Sequence, residues 1–369
     1  MGFLSYVISF VGVFSVLVFF HELGHFWVAR RFGVKIDVFS VGFGPTLWQR
    51  TDKKGTEWRV SAIPLGGYVK FFGDANEASA PSPEMAGLSD EEKAQCFQFK
   101  PLRQRALIVA AGPFANFALA IVLLALVFAI NGQSYTSPVI TAIAPDSPAQ
   151  EAGLMAGDEI VQMNDFNVTT FEDVAAFAQI NANQAVTITY IRDGKVQRGQ
   201  TVIAAVTYET PLGRTEQIGR LGVHGDKREF VERGPLEAIW YGTVETGDYI
   251  VLTLQSLGQF VTGQRSFKEL GGPLKIGEIA GEVAQQGLLP LVMLTVLLSI
   301  NLGVINLLPV PMLDGGHLLF YAFEAVRRKP LGERTQEYGF RIGVAAILTL
   351  MLAVTWNDVI SLIDRLGTP

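Results

Sequence analysis

The stretch FLSYVISFVGVFSVLVFFHELGH, residues 3–25, decides the fold class of this chain. Its first 18 residues carry no charge, and its apolar character continues through HELGH at 21–25 to Ala29. A helix needs about 20 mostly apolar residues to cross the hydrocarbon core of a bilayer. The stretch therefore predicts a membrane-spanning helix within residues 1–30 that carries three ionisable side chains near its end.

Three further apolar runs are candidates for spans, at residues 106–130, 288–308 and 342–356, and the last of them needs its flanks to complete a crossing. The composition agrees with a membrane protein, since 49% of the 369 residues are hydrophobic and 17% are charged. Soluble domains carry about 25% charged residues. We expect a membrane α-helical core of four transmembrane helices.

The first run is expected to be retained rather than removed as a signal peptide, because residues 1–6 carry no basic side chain and no small-residue cleavage site follows it. Three basic clusters flank the runs: Arg30, Arg31 and Lys35; Lys100, Arg103 and Arg105; and Arg327, Arg328 and Lys329. With four spans all three lie on one side, which the positive-inside bias makes the cytoplasmic side. Both termini and residues 131–287 then face outward. A fifth crossing within 234–286 would separate Asp314 from His21, so we exclude it.

The motif HELGH predicts a metal site. His21 and His25 are four residues apart and share one face of a helix, and Glu22 can act as general base towards a water on the metal. In a soluble helix the motif often arises by chance. At membrane depth, each ionisable side chain costs about 2.5–3.5 kcal/mol to insert, so a compensating metal is the better explanation.

A catalytic zinc site has three protein ligands and water, and Asp314 is the candidate third ligand. It follows Asn306 to Leu313, where Pro309 and Pro311 cannot continue a helix, and Gly315 and Gly316 free the chain further. Irregular backbone at membrane depth has to line a cavity or be buried in protein. We therefore expect Asp314 on a broken segment, in the same leaflet as the two histidines. His317 is expected to support the site or to pack rather than to be a fourth ligand.

Two other segments lie close to these spans. GPFANF at 112–117 places small residues and Asn116 early in the second span, where they favour helix packing, support of the site, or both. Glu57 to Ile63 and Tyr68 to Phe72 alternate like strands, and we expect Gly66 and Gly67 between them to form a hairpin turn. Residues 73–95 are expected to be a mobile loop.

These motifs make the chain similar to the site-2 protease family of intramembrane zinc metalloproteases, and within it to the bacterial regulator of sigma-E protease branch. The resemblance covers almost the whole chain, through HELGH at 21–25, IPLGGYVKF at 63–71, GPFANF at 112–117, GGPLKIGEIAG at 271–281 and NLLPVPMLDGGH at 306–317. It implies Zn²⁺ held by His21, His25 and Asp314, with Glu22 as the base. It also implies that Asn306 contacts the substrate or supports the site.

The family activity is proteolysis within the membrane. The resemblance implies single-span substrates, such as anti-sigma factors cut beforehand outside the membrane by another protease, and remnant signal peptides. It also implies a cytoplasmic-side re-entrant hairpin whose edge pairs with unwound substrate by β-addition, although a small surface sheet is the simpler interpretation. The location implied is the bacterial inner membrane, with the active site towards the cytoplasm.

Residues 138–224 resemble one circularly permuted PDZ domain of α+β type. Phe171 to Ile180 suits a helix, Ala185 to Ile191 a strand, and Leu221, Gly222 and Val223 could form the loop that binds a peptide carboxylate. The best-known members of the branch carry two such domains in tandem. A size filter that binds no peptide and a peptide sensor remain equally open.

The predicted layout is a first span with HExxH at 1–30, a cytoplasmic-side β region with a mobile loop at 31–105, a second span at 106–130, the PDZ domain at 131–225, outward-facing amphipathic helices at 226–287, a third span with its broken segment at 288–317, a cytoplasmic-side helix or loop at 318–341, and a fourth span with the C-terminus at 342–369.

Two other functions compete with proteolysis. A scaffold would tether partners through the PDZ domain and keep an idle metal site. A metal transporter would need a polar path through the bilayer, but the spans carry few polar residues such as Asn116 and Asn301. The single cysteine, Cys96, excludes an intramolecular disulfide, and no basic cluster suggests nucleic acid.

Overall fold

The computed structural model describes residues 3–74, 87–209, 215–263, 272–329 and 332–367. The chain forms two compact units. One unit comprises residues 1–126 and 239–369, and the other comprises residues 127–238. We describe each unit by itself.

The first unit is built on long helices: α1 (Phe3–Arg31), α3 (Leu102–Asn131), α6 (Pro235–Val261), α7 (Pro273–Gln286), α8 (Leu288–Asn306), α9 (Asp314–Arg327) and α10 (Glu333–Gly367). Within the described residues, four helical segments are long and apolar enough to cross a membrane. They are Tyr6–Arg31, Leu102–Asn131, Leu288–Asn306 and Tyr338–Trp356. These are the four apolar runs of the sequence, with ends shifted by a few residues.

Two helices, α6 and α7, occupy the region expected to hold amphipathic helices, and residues 264–271 between them lie outside the described ranges. Neither helix has the length and hydropathy of a span. The described part of this region thus supplies no fifth apolar crossing.

The predicted break after the third span is present. α8 ends at Asn306, residues 307–313 form turns, and α9 begins at Asp314. Gly315 and Gly316 lie inside the first turn of α9, where added Cβ atoms would run into the carbonyl groups of Leu308 and Val310. The expectation that these glycines loosen the chain was wrong, because they let the helix pack closely against the turn before it.

The β region of the first unit consists of β1 (Ile36–Thr51) and β2 (Glu57–Phe71), with a short helix α2 (Asp90–Lys93) after it. The predicted hairpin turn at Gly66 and Gly67 is wrong, since both residues lie within β2. The turn spans residues 52–56, where Asp52 accepts hydrogen bonds from the backbone N–H of Lys54 at 2.8 Å and of Thr56 at 3.1 Å. Gly66 instead has a φ of +123°, a conformation that suits glycine.

Residues 73–95 were expected to be a loop, and this expectation fails over residues 90–93. Asp90–Lys93 is helical because Ser89 and Glu92 form a capping box. Residues 75–86, the rest of the acidic and proline-rich segment, lie outside the described residues.

The two strands of the β region pair with each other through more than one segment of each strand. Val38 to Val41 pair with the segment Gly67 to Lys70 on one side and with Glu57 to Val60 on the other, and residues 46–51 pair with 57–61. The stretch 38–41 is therefore the centre of the sheet, in agreement with the complete burial of Ser40. The segment 67–71 forms an edge.

An aromatic cluster attaches the sheet to α1. Phe39 is buried, and its ring lies 4.4 Å from that of Trp58 and 5.4 Å from that of Phe26 of α1, measured between centroids. Such pairs contribute about 0.5–1.5 kcal/mol each beyond the burial of their surface. The sheet is thereby held beside the half of α1 that carries HELGH.

The second unit contains a four-stranded sheet of order β6 (Phe166–Asn167), β5 (Glu159–Met163), β7 (Ala185–Arg192) and β8 (Lys195–Val202), in which each neighbouring pair is antiparallel. Helices α4 (Pro148–Glu151) and α5 (Phe171–Ile180) complete its core. The remaining strands pair two by two: β3 (Gln133–Thr136) with β12 (Arg228–Val231), β4 (Ala142–Ile143) with β11 (Val223–His224), and β9 (Ala204–Glu209) with β10 (Thr215–Arg220). The predicted helix at 171–180 and strand from Ala185 are confirmed.

Asp52 connects the turn between β1 and β2 to the end of α1. Its carboxylate forms a short ion pair with Arg30 and accepts a hydrogen bond from Nε1 of Trp58 at 3.3 Å. Burial alone would raise the pKa of Asp52, but the hydrogen bonds from Arg30, Lys54, Trp58 and Thr56 outweigh it and lower the pKa to about 2. A carboxyl group with a lowered folded-state pKa stabilises the fold above its ordinary pKa near 3.8 and loses that contribution as the pH falls towards 2.

We expect Asp52→Asn to destabilise the first unit by about 1–2 kcal/mol at pH 7, a figure reduced for the partial exposure of the pair. Thermal unfolding in detergent between pH 7 and pH 2.5 measures this. The difference from wild type should shrink below about pH 4, as the linkage requires. Asp165→Asn, at an exposed position of the second unit, is the control. A difference that stays constant with pH, or that the control reproduces, contradicts this role for Asp52.

Candidate metal centre

Three candidate ligands meet in the first unit. His21 and His25 lie on α1, and Asp314 is the first residue of α9. Oδ2 of Asp314 lies 3.2 Å from Nε2 of His21 and 3.6 Å from Nε2 of His25, and the two Nε2 atoms are 3.3 Å apart. The ligand atoms of all three residues lie within 4.8 Å of one another. The structure thus brings together side chains that are almost 300 positions apart in sequence.

The charges of this cluster call for a cation. Oδ2 of Asp314 is buried, and within the described residues no suitably oriented group donates a hydrogen bond to it. With the proton of each neutral imidazole on Nδ1, the two Nε2 atoms direct lone pairs at one another and at the carboxylate, which is unfavourable in a medium of low dielectric constant. A divalent cation between the three atoms removes that repulsion. Two imidazoles and one carboxylate are also a ligand set of catalytic zinc sites, so the residues fit this metal.

Two residues of helix α3 contact the Nδ1 atoms of the histidines and thereby orient both rings. Nδ1 of His25 lies 2.9 Å from the carbonyl oxygen of Ile108, so it donates its proton there and leaves Nε2 free for a metal. The side-chain amide of Asn116 lies 3.2 Å from Nδ1 of His21. Its Oδ1 has no partner among the described residues, although it is buried. Exchanging the O and N of this amide lets Oδ1 accept the Nδ1 proton of His21, which gives His21 the same tautomer as His25.

These contacts require helices α1 and α3 to lie very close to each other. A Cβ at Gly112 would lie 2.9 Å from Cε1 of His21 and closer still to the ring of His25, and one at Gly24 would overlap Ala111. Glycine costs about 1 kcal/mol relative to alanine inside a helix, so these positions are occupied by glycine for space. The expectation that GPFANF allows close packing holds. Gly24 and the carbonyl group of Ile108 were missed, and only the unfavourable helix propensity of Gly24 could have signalled a contact.

An ion pair fixes α9 to α3. Nη2 of Arg105 donates to Oε1 of Glu324 at 2.7 Å, and the guanidinium lies 4.9 Å from the ring centroid of Tyr321. Both side chains of the pair are largely buried, so solvent screens the interaction little. The helix that begins with Asp314 is therefore anchored to the helix that orients the histidines.

A cavity of about 470 Å³ opens beside the three ligands, within the range of small-molecule sites. Glu22 lines it together with Asn306 and His317, and the amide nitrogen of Asn306 lies 3.5 Å from Nε2 of His21. His317 contributes no atom to the three-ligand cluster. Asn306 is thus placed both to touch a molecule bound in the cavity and to contact His21, a candidate metal ligand.

The edge segment of β2 also reaches the cavity. Gly67, Tyr68, Val69 and Phe71 line it, and a Cβ at Gly67 would lie 3.1 Å from Cγ of Glu22. Gly66 packs against Phe43 instead. Pro309 and Pro311 lie in the break between α8 and α9 and do not line the cavity.

Leu221, Gly222 and Val223 lie in the second unit. Leu221 is buried in its core and accepts a hydrogen bond from the backbone of Ala149 at 2.9 Å, and Val223 pairs with Ile143. Gly222 has a φ of +82°, and a Cβ there would overlap Ser147. Leu221 and Gly222 lie directly before β11, which begins at Val223, and the role of the three residues in binding a peptide stays a prediction.

A helix carrying HExxH beside a distant carboxylate defines the class of metal-dependent peptidases. The model of peptidase family M50 matches residues 9–350. The chain belongs to this family.

Relatives of similar length support the assignment. A protein of Agrobacterium fabrum named "putative zinc metalloprotease" is 43% identical over 98% of both chains. Metalloprotease MmpA of Caulobacter vibrioides is 37% identical over 97% of this chain and 96% of its own. Among solved structures, the PDZ domain of the SdrC-like protein from Listeria monocytogenes is 17% identical, covers 25% of this chain and 88% of that domain, and has a TM-score of 0.20.

We expect Gly112→Ala to reduce peptidase activity by about 100-fold or more, because its methyl group displaces both imidazole rings and small displacements at a catalytic site have costs of this size. Gly12→Ala is the matched control, since no atom lies within 4 Å of the added methyl group. Peptide-bond cleavage and metal content of the two purified variants are compared. Equal activity and equal metal content in the two variants contradict the crowding described for Gly112.

Proposed function

We propose that this protein is an intramembrane zinc endopeptidase that cleaves single-span membrane proteins. The family and its relatives make the chain a zinc metalloprotease. The observation that carries the proposal is the convergence of His21, His25 and Asp314 beside Glu22, in a cavity bounded by membrane-length helices.

His21, His25 and Asp314 are assigned as the zinc ligands, through Nε2, Nε2 and a carboxylate oxygen. When bound, zinc supplies a Lewis acid that makes water a nucleophile near neutral pH and polarises the carbonyl under attack. Three protein ligands leave one position open, as hydrolysis requires. Asn116 and the carbonyl group of Ile108 hold the imidazoles in the tautomer that binds metal.

Glu22 is assigned as the general base. Glu22 follows His21 and lines the same cavity, and the lack of a side chain at Gly67 leaves space for Cγ of Glu22. It takes up a proton from the attacking water and delivers that proton to the amine that leaves when the C–N bond breaks. Asn306, with its amide at the same cavity, is assigned to bind the substrate carbonyl or to steady His21.

The substrate is proposed to bind as an extended strand along the edge of β2. A transmembrane helix has no free backbone hydrogen-bonding groups, so it has to unwind before its peptide bond reaches a base. Within the described residues, the segment 67–71 pairs with residues 36–41 on one side only, and Gly67, Tyr68, Val69 and Phe71 line the cavity that Glu22 also lines. This edge can exchange main-chain hydrogen bonds with unwound substrate.

The proposed location is the bacterial inner membrane, with four spans and the active site towards the cytoplasm. The support is the distribution of basic residues at the ends of the apolar helices. Both termini and the second unit then face outward.

The proposed substrates are anti-sigma-factor-like proteins already cut outside the membrane, and remnant signal peptides. Their support is the resemblance to the site-2 protease family. The second unit is proposed to be a PDZ domain that acts on substrates before they enter, either as a size filter or as a sensor that binds a peptide at Leu221 to Val223.

We expect Glu22→Gln to retain zinc and to lower cleavage of a model single-span substrate by about 100- to 10,000-fold, the range that a general base contributes. The comparison is made on protein purified in detergent, with zinc measured by elemental analysis. Glu282→Gln, at an exposed position of α7, is the control and should cleave like wild type. Undiminished cleavage by Glu22→Gln rules out this base, and a scaffold with an idle metal site would show no cleavage even in wild type.

A further inference from the structure

The turn that precedes Asp314 holds a residue in a conformation that suits glycine. The backbone N–H of Leu313 donates to the carbonyl group of Val310 at 3.0 Å, which closes a four-residue turn with Pro311 in second place. Met312 occupies the third place with a φ of +90°. A turn of this kind favours proline in the second place and glycine or asparagine in the third. A methionine there is strained.

The backbone strain at Met312 is not offset by burial of its side chain in a core. Met312 is 45% exposed and is not among the buried core residues. Replacing it with glycine would remove no core contact and would relax the backbone. An exposed apolar side chain that lines a cavity is available to contact a molecule bound there.

The surroundings of Met312 indicate what that molecule presents. Met312 lines the cavity that holds the three candidate ligands and Glu22, and it precedes Asp314 by two residues. The same cavity is also lined by Phe43, Leu313 and Phe340, all apolar. A methionine is flexible and polarisable, and it adapts to apolar side chains of different shape.

We propose that Met312 is a specificity-determining residue that contacts the side chain next to the scissile bond and favours a large apolar residue there. This inference rests on the proposed peptidase function. An extended substrate advances about 3.3–3.6 Å per residue, so a residue adjacent to the cleaved bond lies within reach of a side chain two positions from a metal ligand.

The test uses the full-length protein and four variants. The cleaved bond of a model single-span substrate is first located by mass spectrometry with wild-type enzyme. Substrates are then made with leucine or alanine at each position flanking that bond, and kcat/KM is measured for each. Met312→Gly and Met312→Asn remove the side chain and suit the turn, Met312→Leu keeps apolar bulk and strain, and Glu22→Gln controls for the chemistry.

We expect wild type and Met312→Leu to prefer leucine at one flanking position, and Met312→Gly and Met312→Asn to reduce that preference by about tenfold. Zinc content should equal that of wild type in all three Met312 variants, and the glycine variant should unfold at the same or a higher temperature. The alanine substrate should change less than about twofold.

Two results overturn the inference. The first is that the leucine preference persists in Met312→Gly and Met312→Asn. The second is that those variants lose zinc and cleave both substrates equally poorly, which would give Met312 only a role in holding Asp314. Failure of the peptidase function itself looks different, because wild type would then cleave no substrate or Glu22→Gln would cleave as well as wild type.

Discussion

The structure depends on one electrostatic constraint, which is that a buried carboxylate and two imidazoles share a small volume between apolar helices. Without a cation, the buried oxygen of Asp314 has no suitable hydrogen-bond donor among the described residues and faces ring nitrogens. The surrounding helices hold these three side chains close together. Gly24 and Gly112 let α1 and α3 approach, and the Arg105–Glu324 ion pair anchors to α3 the helix that begins at Asp314.

The same elements shape the space in which a substrate would bind. The break between α8 and α9 interrupts an apolar helix where irregular backbone is tolerated only beside a cavity or within protein. The β region brings its edge segment 67–71 to that cavity because Phe39 and Trp58 pack against α1. The three candidate metal ligands, Glu22 and the edge segment 67–71 thereby line one cavity.

The sequence was informative where a single physical rule dominates. Apolar runs long enough for a bilayer predicted the four membrane-length helices, and the four-residue spacing of His21 and His25 predicted a shared helix face. It was misleading at Gly66 and Gly67, where a glycine pair resembled a turn while the side chain of Asp52 organised the real turn through hydrogen bonds. The carbonyl group of Ile108 makes its contact through a backbone atom, which every residue type has, so the sequence could not predict it. The pairing of residues 38–41 with two segments of β2 depends on tertiary packing, which the sequence pattern does not predict either.

The most direct measurement of the central claim is zinc X-ray absorption spectroscopy on the purified wild-type protein. We expect one zinc per chain, with two imidazole nitrogens at about 2.0–2.1 Å and oxygen ligands at about 2.0–2.2 Å. The imidazole signal should fall when His21 is replaced by alanine. The affinity for zinc should fall when Asp314 is replaced by alanine. A spectrum that includes sulfur at about 2.3 Å, or one unchanged by either replacement, would contradict the account.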